Sequence, residues 1–345
     1  MLPVSAPPPL AGAPRPGQPA PYALRRVETD DVDAHADSLS AWGQTYDQLS
    51  PGAFSGELTE VWTSSAQVFR ESTSQAMRQS CRVWPGAWWF GIPLDDQTPG
   101  SIGGRRFGLD ALAVRPGGCE FELMTPAGFD ILGLVADHGA LERHAAEVEH
   151  RDLRASLGEA SVLDVGRAPR QRLAQFVTNV LAEIGANPGV QGHPAAQRML
   201  DQAVLSAALA LFDTAPLPPR GKFSQQRIFA SVRDHVLDRA DEPVTVPDLC
   251  RAFHVSRRTL QYCFQELAGM SPGAYLRAIR LNAVRRDLKD PDSPHRTVQD
   301  AAAARGFWHL SQFAIDYRKL FGERPSQTLH ARWRQRPAGA TAPGP

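Results

Sequence analysis

Two hydrophobic patterns divide the chain. Between Tyr22 and about Asp137, short apolar or alternating runs are separated by Pro-Gly, Gly-Gly and Thr-Pro turns. Such runs are typical of antiparallel strands that pack as a barrel or a sandwich. We expect an antiparallel, cupin-like β-barrel in this part of the chain. The predicted strands span residues 52–62, 67–71, 85–94, 109–114, 120–125 and 129–136.

Further along, the hydrophobic period becomes helical. Residues 173–184 place apolar side chains on one face of a helix that ends at Gly185. A second, largely apolar helix is predicted over 194–212. Both helices should be buried against the barrel, the C-terminal region or a second subunit. A stiff linker follows, and the pattern beyond it is helical to about Arg336.

These patterns predict a mixed fold with two folded domains. The expected segments are a disordered Pro/Ala-rich tail at 1–21, a first domain at 22–215 (barrel to about 137, helices to about 212), a linker at 216–225, an all-α domain at 226–336 and a disordered tail at 337–345.

The formal charge of the chain is zero, but its two ends differ in sign. Residues 221–345 hold 20 Lys and Arg against 12 Asp and Glu, whereas residues 1–220 hold 17 against 25. A basic domain joined to an acidic one indicates a nucleic-acid-binding module attached to a domain of another kind.

Cysteine usage and hydropathy favour a cytoplasmic protein. The four cysteines are scattered without a Cys-x-x-Cys pair, which argues against a disulfide framework or a zinc site. No apolar run approaches the roughly 20 residues that cross a bilayer. The N-terminal tail also lacks the pattern of a signal peptide, so no membrane association is expected.

A first helix-turn-helix unit is predicted to begin at Thr245. Thr245 and Ser256 stand where helix N-caps are needed, and His254-Val255 forms the turn between the helices. The outward side of the second helix carries hydrogen-bond donors and an aromatic ring but no acid, which suits base edges and phosphates. An isolated helix of this kind would more simply be solvated. The predicted DNA contacts are Ser256, Arg257, Arg258, Gln261, Tyr262 and Gln265.

A long helix joins this unit to the next. Ser271 before Pro272 is a favourable N-cap and N1 pair, and the helical pattern continues to about Lys289. Such a helix is roughly 27 Å long, enough to hold two recognition helices about one DNA turn apart. Basic side chains outside its apolar stripe should meet phosphate or solvent. They are Arg277, Arg280, Arg285, Arg286 and Lys289.

The second unit starts at Thr297, another N-cap, and turns at Gly306, whose missing Cβ permits a left-handed backbone. The predicted inner face of its second helix comprises Leu310, Phe313, Tyr317 and Leu320. The outward side is left for DNA or solvent. It comprises His309, Ser311, Gln312, Ile315, Arg318 and Lys319.

The motifs of the second unit resemble those of a known family. They are Ala304-Arg305-Gly306-Phe307, Phe313, Tyr317-Arg318, Phe321-Gly322 and Pro325-Ser326. In this order they are similar to the tandem helix-turn-helix domain of AraC-family regulators, over residues 226–330. The resemblance implies a cytoplasmic transcription regulator that binds a double-stranded DNA operator and RNA polymerase. Members are usually activators that respond to a small effector bound by the N-terminal domain; a homodimer is left open.

The sequence departs from this family at two places. Ala314-Ile315-Asp316 stands where many members carry Ser-Arg, which removes a groove-reading arginine and adds an acid. Thr328-Leu329 replaces the usual Tyr-Arg after Pro-Ser. We therefore expect the first unit to carry most of the base specificity and the second to contribute phosphate contacts and fit.

The N-terminal half has a resemblance of its own. It rests on Thr45 to Gly52, Trp84-Pro85-Gly86, Phe90 to Leu94, Thr125-Pro126 and Phe129-Asp130-Ile131. These segments look like the N-terminal half of ethanolamine-utilisation operon activators. The resemblance does not establish the effector, since related sensors answer to other amines, amino acids or unrelated metabolites.

An effector site is predicted around Trp84, Trp88 and Trp89, with Glu60 as a partner for an amine. Tryptophans that line a barrel can enclose an organic cation, although the alternative of a plain hydrophobic core is simpler for each of them. No cofactor, metal site or catalytic residue is predicted, because His144, Glu147 and His150 stand alone on a polar stretch. Two alternatives stay open: a metal-dependent cupin-type enzyme joined to a DNA-binding domain, and a regulator without an effector.

Overall fold

A computed structural model describes residues 19–94, 99–148, 161–213, 224–239, 244–307 and 309–334. Most of the predicted tail at 1–21, most of the linker at 216–225 and the whole tail at 337–345 lie outside these ranges. The N-terminal part contains two antiparallel sheets, and the C-terminal part is helical.

The larger sheet has seven strands in the order β1-β3-β4-β11-β6-β9-β12. Its strands are β1 (Leu24–Thr29), β3 (Gly56–Trp62), β4 (Ala66–Thr73), β6 (Ala87–Pro93), β9 (Ala111–Pro116), β11 (Phe129–Asp137) and β12 (Val162–Asp164). The smaller sheet has five strands in the order β2-β5-β10-β7-β8. They are β2 (Gly43–Gln48), β5 (Met77–Arg82), β7 (Gly100–Ile102), β8 (Arg105–Phe107) and β10 (Glu120–Thr125).

The two sheets face each other across one hydrophobic core, which includes Trp62 and Trp89 of the larger sheet and Cys81 and Phe121 of the smaller one. Among the described residues, no ladder joins the edge strands of one sheet to those of the other. The antiparallel β domain expected from the sequence is therefore confirmed, but its two sheets form a sandwich and not a closed barrel. Alternation along a strand reports a buried and an outer face, but not whether the sheet edges meet.

All six strands predicted from the sequence are present; β10 has the predicted bounds, and the ends of the other five are shifted. The strands that the sequence missed include β1, β2 and β5, which are rich in polar residues. In β5, Arg78 is buried on the outer face of the smaller sheet, where the helical part covers it. Tertiary contacts of this kind override the simple rule of one apolar and one polar face.

Helices cover the outer face of the larger sheet. They are α2 (His138–Val148), α3 (Arg167–Ala186) and α4 (Pro194–Asp213), while the short α1 (Val32–Ala36) follows β1. Val177, Leu181 and Ile184 of α3 share a core with Phe90 and Leu134 of the sheet. Of the three partners that the sequence left open for the two long helices, the strands are the one that buries them here.

The C-terminal helices form two cores that share α8. They are α5 (Ser224–Asp238), α6 (Val246–Ala252), α7 (Arg257–Ala268), α8 (Pro272–Lys289), α9 (Val298–Ala304), α10 (Leu310–Phe321) and α11 (Pro325–Arg334). Tyr275 and Ile279 of α8 belong to the core around α5 and α7. Val284 and Leu288 of the same helix belong to the core around α9 and α10. The strut predicted from the sequence thus anchors both units.

Candidate DNA-binding surface

Side-chain caps define where the helices of both units begin. The Thr245 side chain accepts a hydrogen bond from the Asp248 backbone, and Asp248 reciprocates in a capping box. Ser256, Ser271 and Thr297 cap α7, α8 and α9 in the same way. Each oxygen satisfies a backbone N–H group that a helix start would otherwise leave unpaired. All four N-caps predicted from the sequence are confirmed.

The recognition helix of the first unit is α7. Its apolar side buries Leu260, Cys263 and Phe264. The six residues predicted to contact DNA are all exposed. Tyr262 is 57% exposed, and the guanidinium carbon of Arg258 lies 5.7 Å from the centre of its ring. This face offers donors and a flat ring to the solvent, which is what base edges and phosphates require.

The recognition helix of the second unit is α10. His309, Ser311, Gln312, Arg318 and Lys319 are exposed, and Ile315 is 61% exposed. Asp316 accepts a hydrogen bond from Gln312 Nε2 at 3.0 Å and pairs with Arg277 of α8 at 2.9 Å. The acid that replaces a family arginine therefore engages two polar groups on its own domain.

One inner-face prediction for α10 is wrong. Leu310 is 39% exposed at the first turn of the helix, whereas Phe313, Tyr317 and Leu320 are buried. Phe307, which precedes the helix, packs on Phe313 with ring centres 5.1 Å apart and fills the space near the turn. Helical periodicity alone extends the apolar stripe one turn too far because it ignores the chain that enters the helix.

Comparison with known proteins supports the helix-turn-helix geometry. A family model described as a helix-turn-helix domain matches residues 249–331. The XylDLEGF operon transcriptional activator 3 of Pseudomonas putida is 35% identical over 104 residues, which cover 30% of this chain and 31% of that protein. A probable thc operon regulatory protein of Rhodococcus erythropolis is 25% identical over 214 residues, covering 59% and 62%. Residues 249–331 of the C-terminal region form a helix-turn-helix domain.

This chain spans less than two thirds of the length of either curated relative. Among solved structures, the AraC-like transcriptional activator CuxR aligns with a TM-score of 0.38 and 17% identity, over 70% of this chain and 89% of that one. All three proteins are named as regulators of transcription or of operons.

The helix-turn-helix domain packs against the outer face of the smaller sheet and the loop that follows β2, which supply donors to both recognition helices. At the end of α7, Arg106 Nη2 donates to Glu266 O at 2.6 Å and Ser101 Oγ to Leu267 O at 3.4 Å. At the end of α10, the Gly52 backbone donates to Leu320 O at 3.1 Å. Carbonyls in the last turn of a helix have no partner within the helix. The sandwich therefore caps both recognition helices and leaves their opposite ends uncovered.

The basic side of α8 is also engaged by the sandwich, which corrects the expectation of phosphate or solvent contact for three of its residues. Arg285 pairs with Asp31 at 3.0 Å. Lys289 bonds Asp31 at 2.5 Å, and Arg286 bonds Asp47 at 2.7 Å. Burial alone would raise the pKa of Asp31, but the charges of Arg285 and Lys289 lower it to about 2.

A polar pair joins α8 to β2 at the centre of this contact. The buried side chain of Asn282 accepts a hydrogen bond from the Gln48 backbone N–H at 2.9 Å and donates to Gln48 O at 2.9 Å. The Gln48 side chain in turn donates to Leu320 O of α10. Sequence reasoning missed the role of Asp31, Asp47 and Gln48. The available signal was the opposite charge of the two halves, together with the Thr45 to Gly52 segment that carried the N-terminal resemblance.

The four predicted effector residues do not all lie on one side of the larger sheet. Trp84 and Trp89 lie in the core between the sheets, and Trp89 stacks on Phe121 with ring centres 4.9 Å apart. Trp88 points to the other side of the larger sheet, where its Nε1 donates to His138 Nδ1 at 3.2 Å. Glu60 is fully buried and already pairs with Arg25 at 2.5 Å, and it accepts from Gln67.

The described ranges show neither a metal cluster nor a membrane span. Within them, no three His, Cys, Asp or Glu side chains are grouped to hold a metal ion. His144 Nε2 lies 2.7 Å from Ser206 Oγ, and His150 falls outside the described residues. None of the helices that the structure describes combines the length and apolar character of a membrane span.

Proposed function

We propose that this protein is a sequence-specific DNA-binding transcription regulator, an activator that responds to a small-molecule effector. The observation that carries the proposal is the pair of recognition helices, α7 and α10, held by one shared helix with their outward residues exposed. The predicted domain limits, 22–215 for the sensor and 226–336 for the DNA-binding domain, belong to this proposal.

The two recognition helices make different contacts with DNA in this proposal. Arg258 forms a bidentate pair with a guanine, and Gln261 or Gln265 reads an adenine. On α10, Ser311, Arg318 and Lys319 contact phosphates, which position the domain without reading bases. Asp316 and Ile315 offer no donor to a base edge, so specificity falls mainly to the first unit.

In this proposal, effector binding changes the affinity for DNA through a movement of the smaller sheet. A shift of this sheet moves donors that cap both α7 and α10, so it changes the relative placement of the recognition helices. Effector and operator then strengthen each other's binding by the same factor. The acidic excess of residues 1–220 favours an effector with a positive group, and the resemblance to ethanolamine-utilisation activators supports an amine.

Several partners complete the proposal. We assign a double-stranded operator, RNA polymerase and a cytoplasmic location, and a homodimer formed through the sensor is compatible with this arrangement. A catalytic role is not part of this proposal.

The test is selection of bound duplexes from a random-sequence DNA pool by the purified full chain. We expect two enriched boxes about one helical turn apart, with binding that weakens steeply as salt rises. The fragment 222–336 should enrich the same boxes. A folded full chain that enriches no sequence and has no DNA affinity at low salt would contradict the proposal.

A further inference from the structure

A cavity of about 340 Å³ lies between the sandwich and the C-terminal end of α8. Its volume is within the range of small-molecule sites. One wall belongs to the sensor, with Asp37, Gln44 and Tyr46. The other wall belongs to the DNA-binding domain, with Arg286 and Lys289. A molecule in this cavity would contact both parts of the protein.

We propose that this cavity binds a small zwitterion of the α-amino acid class, with its ammonium on the sensor wall and its carboxylate on the α8 wall. The inference rests on the proposed function and deepens it, because it names the class of effector and the place where it acts.

The sensor wall offers acceptors. Gln44 Oε1 is buried and has no hydrogen-bond partner among the described residues. Asp37 makes no ion pair with any other residue that the structure describes, and its carboxylate is exposed beside the cavity. The Gln44 Nε2 donates to Cys81 Sγ at 3.6 Å, so this amide lies at the inner border of the cavity, and the exposed Asp37 carboxylate is the acceptor for the three donors of an ammonium group. Tyr46 itself is buried in the core between the sheets, where its hydroxyl donates to Glu71 at 2.7 Å.

The α8 wall offers donors that are already held in place. Arg286 bonds Asp47 at 2.7 Å, and Lys289 bonds Asp33 at 2.8 Å. Their side chains remain 37% and 31% exposed, so each keeps accessible N–H groups. A carboxylate binds well to such preorganised cations because little side-chain freedom is lost on binding.

Carboxylates and cations both line the cavity, with Asp33, Asp37 and Asp290 beside Arg286 and Lys289. Asp37 on the sensor wall and Asp290 at the end of α8 would repel a simple anion. A simple amine would leave Arg286 and Lys289 without a ligand acceptor. A molecule with both groups satisfies both walls and adds no net charge.

Isothermal titration calorimetry on the full chain tests the inference with the common α-amino acids. Each is paired with the amine that lacks its carboxylate and the carboxylic acid that lacks its ammonium. We expect at least one amino acid to bind, and its two analogues to bind at least about tenfold more weakly. Absence of binding by every amino acid, or equal binding by an analogue, would overturn the inference.

Three variants locate the site. Asp37→Asn and Gln44→Leu on one wall, and Arg286→Gln on the other, should each weaken binding by about tenfold. Arg106→Gln is the matched control, because Arg106 joins the sensor to α7 away from the cavity. Since Arg286 also neutralises buried Asp47, the first two variants decide the outcome if Arg286→Gln does not fold. Unchanged affinity in folded Asp37→Asn and Gln44→Leu would overturn the site.

Operator affinity, measured on the same preparations, separates the inference from the proposed function. A chain that binds its selected operator but no amino acid refutes the zwitterion site alone. A folded chain that binds no DNA refutes the proposed function, and with it the effector role of the cavity. The supporting result is amino-acid binding that changes operator affinity in the wild type and not in Asp37→Asn.

Discussion

The two helix-turn-helix units share one design but differ in what their recognition helices offer. In α7 the outward face carries Arg258, Gln261 and Tyr262, all exposed. In α10 the corresponding region carries exposed Ile315 and an acid, Asp316, that pairs with Arg277. The two units therefore share their caps, turn and buried face. One recognition helix is suited to reading bases, and the other is suited to phosphate contacts that position the domain on DNA.

The units also differ in how they meet the sensor. The end of α7 receives side-chain donors from β7 and β8, and Arg106 in this contact is half exposed. The end of α10 meets the backbone of the loop at Gly52 and the side chain of Gln48. A contact through the backbone allows less relative movement of the two parts than a contact through a long side chain does. We infer that movement of the sensor is transmitted more directly to the second unit, while the first unit provides recognition.

The largest expected difference concerns base specificity. Arg258→Ala should weaken operator binding by about 1 to 3 kcal/mol and relax preference at one base pair, since a bidentate contact is lost. Ile315→Ala should change operator affinity little, because this side chain has no hydrogen bond to lose. Titration of each variant with the selected operator and its single-base variants measures both effects. Equal loss of discrimination in the two variants would remove the functional asymmetry between the units.

A second comparison uses the glycines that end the recognition helices. Gly269 and Gly322 both adopt left-handed backbone, with φ of 69° and 74°. A Cβ at Gly269 would meet open space, whereas one at Gly322 would lie 3.1 Å from the Ala53 backbone nitrogen. Gly269→Ala should lower the free energy of unfolding by about 1 kcal/mol and Gly322→Ala by about 2 kcal/mol.

Urea unfolding of the full chain measures these two free energies. In the full chain, Gly322→Ala should lower the free energy of unfolding more than Gly269→Ala does. This difference should disappear when the same substitutions are made in the fragment 222–336, which lacks Ala53. An excess that persists in a folded fragment would mean that the sensor loop does not contact the second unit.

A third prediction concerns the ionic contact between the sensor and α8. Asp31→Asn keeps an N-cap for α1 but removes the charge that faces Arg285 and Lys289, so it should lower the free energy of unfolding at neutral pH by about 1 kcal/mol. The pKa of Asp31 falls from 3.8 to about 2 on folding. Its charge therefore stabilises the protein above about pH 4, and this contribution is lost as pH falls toward 2.

Unfolding measured from pH 7 downward checks this dependence. The difference between wild type and Asp31→Asn should shrink over that acidic window, while Asp292→Asn, at an exposed position, should have little effect at any pH. A constant difference down to pH 2 would show that Asp31 does not pair with α8.

The smallest expected effect concerns the acid on α10. Asp316→Asn removes a negative charge from a helix proposed to face phosphates and frees Arg277 for DNA. We expect operator affinity to rise by about 0.5 kcal/mol, equally for matched and mismatched sequences, because phosphate contacts carry no sequence information. Binding assays at two salt concentrations measure this gain. A gain confined to one base pair would instead place α10 in base reading.

Local sequence determined most of the helical domain. The caps at Thr245, Ser256, Ser271 and Thr297, and the left-handed turn at Gly306, depend on residues within one turn of each position. Such features are set by short-range hydrogen bonds and backbone sterics, so a sequence reveals them directly. The exposed positions of the outward residues of α7 were predicted by the same helical geometry.

Tertiary structure decided how the two parts meet. The helical position of Arg285 predicts contact with phosphate or solvent, yet this residue is buried against acids more than 250 positions earlier in the chain. Trp88 and Trp89 adjoin in sequence but serve opposite sides of one sheet, and the sheets form a sandwich instead of a closed barrel. Periodicity shows that a face is buried but not which distant surface covers it, because the partner is chosen by the packing of the whole chain.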